Sequence, residues 1–226
     1  MDRAHGKWYG DACAAAFAME LVGERWTLLI IRELMLGARR FSDIRASLPG
    51  MSAKVLTERL ERLEELGIVV RSKLPPPASS QVYELTQWGY ELEDVMQALG
   101  RWSVRSPLHD PSLHFTPVSF LLSLRTMICP EKAKGMRFAV EFRTEGERLF
   151  AVLEDGQLVV ERGGEGPDRI DVIFSADGVG QFLGVIYGKR PVEECGVTIE
   201  GEETIARQFI DMFTLPSKHA FPASVA

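Results

Sequence analysis

Phe41-Ser42-Asp43-Ile44-Arg45-Ala46-Ser47-Leu48, Pro49-Gly50-Met51, Ser52-Ala53-Lys54-Val55-Leu56-Thr57-Glu58-Arg59-Leu60-Glu61-Arg62-Leu63-Glu64-Glu65-Leu66 and Gly67-Ile68-Val69-Val70 follow one another without a gap. The first run predicts a short helix with Ile44 turned inward. Pro49-Gly50 makes a turn. Ser52 can accept from the backbone N–H groups that open the next helix. That helix carries Leu56, Leu60 and Leu63 at i, i+4 and i+7, a single apolar stripe. Gly67 ends it. Two helices joined by a tight turn, the second with one buried stripe, predict a helix-turn-helix.

The neighbouring segments extend this motif. Residues 11–22 are rich in Ala, with Phe17, Met19 and Leu21, and predict a buried helix. Trp26 to Leu36 predicts a second helix, apolar at Leu28, Leu29, Ile31, Leu34 and Met35, with Gly37 as its stop. Downstream, Ile68 to Lys73 and Gln81 to Leu85 are β-prone runs separated by a proline and serine tip, the pattern of a hairpin. Thr86 can cap a last helix, 87–103, whose Leu92, Val95, Met96, Leu99 and Trp102 share one face. A winged helix-turn-helix has this order of elements.

Charge at first speaks against a nucleic-acid partner, because the 226 residues carry a net charge of −6. The distribution changes that reading. Residues 1–106 hold 14 basic and 14 acidic side chains, residues 107–226 hold 12 and 18, and residues 25–73 hold 10 and 6. The basic surplus sits on the helix-turn-helix itself. At 100° per residue from Leu56, Lys54 and Glu58 fall opposite the apolar stripe, with Thr57 beside them. Lysine can donate to guanine, glutamate can accept from cytosine, and threonine can do either or touch a thymine methyl. Arg39, Arg40, Arg59 and Lys73 flank this helix and could neutralise phosphates. The expected interface is Arg39, Arg40, Ser42, Ser52, Ala53, Lys54, Thr57, Glu58, Arg59, Lys73, Ser80 and Gln81. The same pattern also fits a small helical domain with a solvated charged face.

Ala12-Cys13, Gly23-Glu24-Arg25-Trp26-Thr27-Leu28-Leu29-Ile30, Arg32-Glu33-Leu34, Arg40-Phe41-Ser42-Asp43-Ile44, Leu48-Pro49-Gly50-Met51-Ser52, Val55-Leu56-Thr57-Glu58-Arg59-Leu60 and Leu66-Gly67-Ile68-Val69 occur in that order. Over residues 8–103 the chain resembles the HxlR-type transcriptional regulators, a MarR-related winged-helix group. The resemblance implies a homodimer on a palindromic double-stranded DNA operator. It implies an interface from the first and last helices, through Phe17, Leu21, Leu92, Val95, Met96, Leu99 and Trp102. Packing within one subunit is the alternative for the last helix. Many relatives carry a basic residue before the Tyr-x-Leu-Thr run. Here Ser80-Gln81 stand there, which implies polar phosphate contacts in place of a minor-groove contact. Some members of the family sense oxidants or electrophiles through a cysteine near Cys13. Its neighbours favour a buried structural cysteine, since Asp11 would raise its pKa and no cation adjoins it.

Residues 107–117 contain Pro107, Pro111 and Pro117, which helix cannot run through, and predict a linker. The domains expected are thus 1–106 and 118–226. The four tryptophans precede the linker, and ten of the twelve phenylalanines lie at Phe115 or beyond. The second half predicts helices over 118–129, 176–187 and 204–213. It predicts strands over 136–143, 149–153, 158–161, 170–174 and 197–200. The fold class is α+β, with the second half an antiparallel meander covered by helices. Its phenylalanines either pack as a solid core, which composition favours, or line a cavity.

Phe138-Ala139-Val140-Glu141-Phe142, Asp155-Gly156-Gln157-Leu158, Ile173-Phe174-Ser175-Ala176-Asp177, Phe182-Leu183-Gly184 and Val197-Thr198-Ile199-Glu200-Gly201 resemble a sterol-carrier-protein-like domain over residues 115–215. That resemblance implies an apolar tunnel for a lipid or other hydrophobic effector. Its expected lining is Phe120, Leu124, Phe138, Val140, Phe142, Phe150, Phe174, Phe182, Ile186, Phe209, Met212 and Phe213.

Several classes are not expected. No apolar run approaches the length of a membrane span, and no signal-peptide pattern opens the chain, so a cytoplasmic protein is expected. Three cysteines, Cys13, Cys129 and Cys195, do not make a disulfide scaffold. Four scattered histidines suggest no metal, and no cofactor is implied. Neither a Gly-x-Ser-x-Gly elbow nor a phosphate-binding loop is present, so no enzyme is expected. The leading reading is an effector-responsive transcriptional regulator. The alternatives are a lipid or apolar-ligand transfer protein dimerised by its helical half, and a thiol redox regulator acting through Cys13.

Overall fold

The Ser52 hydroxyl accepts the Val55 N–H at 3.2 Å and opens a helix over Ala53–Glu65, as its sequence position predicts. The structure, a computed structural model, describes residues 9–75 and 80–220. The chain forms two units, Met1–Glu93 and Asp94–Ala226.

The first unit runs α1 (Ala14–Val22), α2 (Thr27–Leu34), α3 (Phe41–Ser47), α4 (Ala53–Glu65), β1 (Val69–Lys73), β2 (Gln81–Leu85) and α5 (Gln87–Tyr90). Leu56, Leu60 and Leu63 of α4 are buried with Ile30, Ile31, Leu34, Ile44, Ile68, Val82 and Leu85. The wing pairs antiparallel from Val69 with Leu85 to Lys73 with Gln81. Of its predicted tip, Pro75 to Ser80, residues 76–79 lie outside the described residues. Arg39 forms an isolated antiparallel bridge to β2 of the wing. It donates its N–H to the Tyr83 carbonyl at 2.9 Å and accepts the Tyr83 N–H at 2.8 Å.

Two helical expectations change. The predicted helix 87–103 is two helices, α5 and α6 (Leu92–Ser103), separated at Glu91, and the division between the units falls inside α6. Thr86 does cap α5, accepting the Gly89 N–H at 3.1 Å. A Cβ on Gly89 would stand 2.3 Å from the Ile68 carbonyl oxygen, so only glycine allows α5 this close to the wing. The first helix, expected to be buried, buries only Val22, and Phe17 and Met19 are about half exposed.

In the second unit, residues 107–116 form no helix. The elements are α7 (Pro117–Met127), α8 (Pro130–Ala133), β3 (Phe138–Thr144), β4 (Glu147–Glu154), β5 (Gln157–Arg162), β6 (Val172–Ser175), α9 (Val179–Ile186), β7 (Thr198–Gly201) and α10 (Glu203–Asp211). Thr116 caps α7 by accepting the Ser119 N–H at 3.0 Å, and Pro117 follows it, where a missing N–H costs nothing. The α+β class holds, but the sheet is mixed rather than a meander. Its order is β5-β4-β3-β6-β7, and β3 pairs with β6 in parallel. Residues 163–171 carry the chain from the β5 edge to the far side of β3, so β6 enters running the same way as β3.

Alternation along β3 separates the two faces of the sheet. Val140 and Phe142 face the helices. The Phe142 ring lies 4.8 Å from Phe120 of α7, 5.0 Å from Phe182 of α9, 5.8 Å from Phe209 of α10 and 5.2 Å from Phe174 of β6. Glu141 faces the other way, opposite Phe150 in register. A Cβ on Gly166, whose φ is +74°, would meet the Phe150 ring at 2.5 Å, so the crossover lies on Phe150 and needs glycine there.

Candidate nucleic-acid interface

Buried leucines on one side of α4 oblige its other side to face solvent. The Lys54 side chain is 85% exposed, and its Nζ lies 3.9 Å from Oε1 of Glu58, one turn on. An exposed pair of this kind is worth about 0–1 kcal/mol, so either group can be diverted to a base edge at little cost. Thr57 is exposed and donates its hydroxyl to the Ala53 carbonyl at 3.0 Å, which leaves its oxygen lone pairs and methyl outward. Ser52 is committed to its cap, and Ala53 is half-buried. At the start of α3, Arg40 is exposed, and Ser42 donates to Oδ1 of Asp43 at 3.1 Å. In the wing Lys73 and Gln81 are exposed and Ser80 is half-buried. With its amide turned to satisfy both groups, Gln81 accepts from Nε of Arg71 at 3.0 Å.

Two of the four arginine and lysine residues expected on phosphates are engaged elsewhere. Arg39 is buried. Its Nη1 lies 2.5 Å from Oε2 of Glu33, itself fully buried on α2, and its Nη2 donates to the Asp43 carbonyl at 3.2 Å and to Ser47 Oγ at 2.9 Å. Such a guanidinium could reach a phosphate only by abandoning a buried carboxylate. The Arg59 side chain is 22% exposed and holds the Glu24 carboxylate and the Arg25 carbonyl, in the turn between α1 and α2. Adjacent α3 carries an exposed cation that the sequence reading passed over, Arg45. Its place directly after inward-facing Ile44 was the available signal.

The residues expected between subunits differ in exposure. No residue of α6 is buried, and Val95, Leu99 and Trp102 are exposed, Trp102 to 73%. Leu21, Leu92 and Met96 are half-buried, and Phe17 is exposed. Packing along α6 therefore leaves Val95, Leu99 and Trp102 exposed.

Cys13 differs from its expected state. It is exposed rather than buried, and it precedes α1 as the N-cap residue. The backbone N–H groups of Ala16 and Ala15 hold its thiol below the ordinary range. Asp11 accepts the Cys13 N–H at 2.9 Å.

The residues expected to line a tunnel lie close together, with one exception. Phe120, Leu124, Phe138, Val140, Phe142, Phe174, Phe182, Ile186, Phe209, Met212 and Phe213 are all buried, and the rings lie in edge, tilted or stacked contact with one another. They fill the space a tunnel would need. Phe150 is not with them, because it lies on the opposite face of the sheet beneath the Arg148 guanidinium, 5.0 Å from the ring centre. A surface cleft of about 610 Å³ lies elsewhere, in the first unit, between the α1 end and α4. Among the described residues no helix is long and apolar enough to cross a membrane, and no cluster of His, Cys, Asp and Glu could hold a metal ion.

Comparison with known proteins bears on the first unit. The HxlR-like helix-turn-helix family profile matches residues 21–108. The HTH-type transcriptional regulator YvaP of Bacillus subtilis is 37% identical over 86 residues, which span 38% of this chain and 80% of YvaP. YodB of the same organism, another HTH-type transcriptional regulator, is 42% identical over 86 residues, 38% of this chain and 77% of YodB. The solved structure of the reduced form of YodB aligns with 37% identity over 44% of this chain and all of that one, at a TM-score of 0.40. With this helix-turn-helix, this outward face of α4 and these identities, the chain belongs to the HxlR-like helix-turn-helix family of DNA-binding transcriptional regulators, not enzymes.

Proposed function

We propose that the protein binds a palindromic operator as a homodimer. Lys54, Thr57 and Glu58 read base edges in the major groove, and Arg40 and Lys73 contact phosphates. The observation that carries this reading is the outward, unburied side of α4, set against its buried leucines. The second copy covers Phe17 and Leu21 of α1 and Leu92, Val95, Met96, Leu99 and Trp102 of α6, and the exposed side chains of Val95, Leu99 and Trp102 support this reading. In this proposal residues 1–106 bind DNA and dimerise, 107–117 link, and 118–226 sense. Lys54→Ala should weaken binding and alter sequence preference, and Arg40→Ala should weaken it uniformly. No band shift on the DNA upstream of the protein's own gene, at low salt, refutes the reading.

A sheet with helices on one face supports the sterol-carrier-protein-like reading of 118–226. Its filled phenylalanine core requires side chains to move before an apolar effector enters. Native mass spectrometry of freshly purified protein tests this: a bound apolar mass supports it, and a bare mass in every preparation rejects it. A second reading rests on the exposed, acidified thiol of Cys13 as an oxidant or electrophile sensor. Cys13→Ser should then abolish any effect of diamide on DNA binding, and an unchanged effect rejects that role.

A further inference from the structure

We propose that Arg39 is a positioning residue for DNA binding, one that fixes the wing relative to the helix-turn-helix. The inference rests on the DNA-binding reading above. Arg39 meets three elements at once. Its backbone pairs in both directions with Tyr83 of β2, its Nη1 holds Glu33 of α2, and its Nη2 holds the Asp43 carbonyl and Ser47 hydroxyl of α3. Glu33 is itself fixed from a second side by Arg32, at 3.1 Å from Nε and 2.9 Å from Nη2.

The geometry of this knot matters because the proposed contacts come from two separate places. Lys54 and Thr57 stand on α4, which follows α3 through the Leu48–Met51 turn, and Lys73 stands at the far end of β1. A duplex is a rigid partner on this scale, and both contacts form together only if their separation is preset. A planar fork that satisfies α2 and α3 from a backbone shared with the wing presets it. Lysine at this position keeps the charge but not the fork.

The probe is a duplex that the wild-type protein selects from a random-sequence pool, with a scrambled duplex of equal length beside it. Arg39→Lys, Glu33→Gln and the milder Ser47→Ala are compared at a temperature where circular dichroism shows each one folded. The expected result for Arg39→Lys and Glu33→Gln is a loss of about tenfold or more on the selected duplex, with scrambled binding within about twofold of wild type. Ser47→Ala should show the same ratio change, smaller. An unchanged ratio in the folded variants, or an equal loss on both duplexes, overturns the proposal. If Arg39→Lys and Glu33→Gln do not fold, the ratio in Ser47→Ala decides alone. Failure of the wild-type protein to select any sequence would instead overturn the DNA-binding reading.

Discussion

Arg40→Gln and Arg59→Gln remove two cations that look equivalent in the sequence, and the structure predicts different salt behaviour for them. Arg40 is exposed at the start of α3, whereas Arg59 holds Glu24 and the Arg25 carbonyl. Each phosphate neutralised on duplex DNA contributes about −0.9 to the slope of log K against log salt. Between about 50 and 200 mM salt that makes each contact responsible for about a 3.5-fold fall in affinity. In the proposed homodimer each contact occurs twice, so one substitution should relieve about a 12-fold fall over that range. Fluorescence anisotropy with a selected duplex across this salt range measures the slope. Arg40→Gln should lower its magnitude by about 1.8, and Arg59→Gln should leave it within error of wild type. Equal slope changes for the two variants would refute the reasoning, since Arg59 would then have to leave Glu24 for the duplex. An unchanged slope in Arg40→Gln would refute it from the other side.

Three further outcomes are expected. Glu141 is fully buried and accepts from Arg143 and Arg148 through four hydrogen bonds of 2.6–3.2 Å, so Glu141→Gln should cost the second unit about 1–3 kcal/mol by native-state hydrogen exchange of β3 and β4. The Arg148 hydrogen bond, with Arg143 behind it, lowers the Glu141 carboxyl from 4.5 to about 2. A depressed carboxylate stabilises the fold above its unfolded value, so the gap between wild type and variant should close as pH falls from 4.5 to about 2. A gap that persists at the bottom of that window argues against the ion pair as its cause. Phe142→Ala should destabilise the same unit by about 3–5 kcal/mol in urea, and a loss under about 1 kcal/mol would mean the core relaxes around the gap. Leu99→Glu should convert a dimer to a monomer in analytical ultracentrifugation, and a dimer of undiminished affinity would place the interface elsewhere.

The helix-turn-helix was legible because its signals are local. Ser52 caps Val55 three residues on, Thr86 caps Gly89 at the same spacing, and Leu56, Leu60 and Leu63 repeat within two turns. The outward side of α4 follows from the same period, so Lys54, Thr57 and Glu58 are where rotation put them. The alternation along β3 was equally local and separated Phe142 from Glu141. The family resemblance of the first half needed no tertiary knowledge, since the motif order itself carried it.

What the sequence could not show involves partners distant along the chain. Arg39 and Arg40 are neighbours, yet the first is drawn inside by Glu33, Ser47 and Tyr83, and the second is left to solvent. Arg59 is turned away from phosphates by Glu24 and the Arg25 carbonyl, thirty-four residues earlier in the case of the carbonyl. Cys13 looked structural because Asp11 stands beside it, but the orientation of the α1 backbone, not proximity in sequence, sets its thiol. The parallel β3–β6 pair depends on where a crossover lands, and Phe150 changed sides of the sheet by its register with Glu141. Capping and periodicity therefore determined by themselves which helices form and which side of α4 faces out. Tertiary structure alone decided which cations are free for DNA and whether the phenylalanines enclose a space, because charge pairing and packing join residues that no local pattern connects.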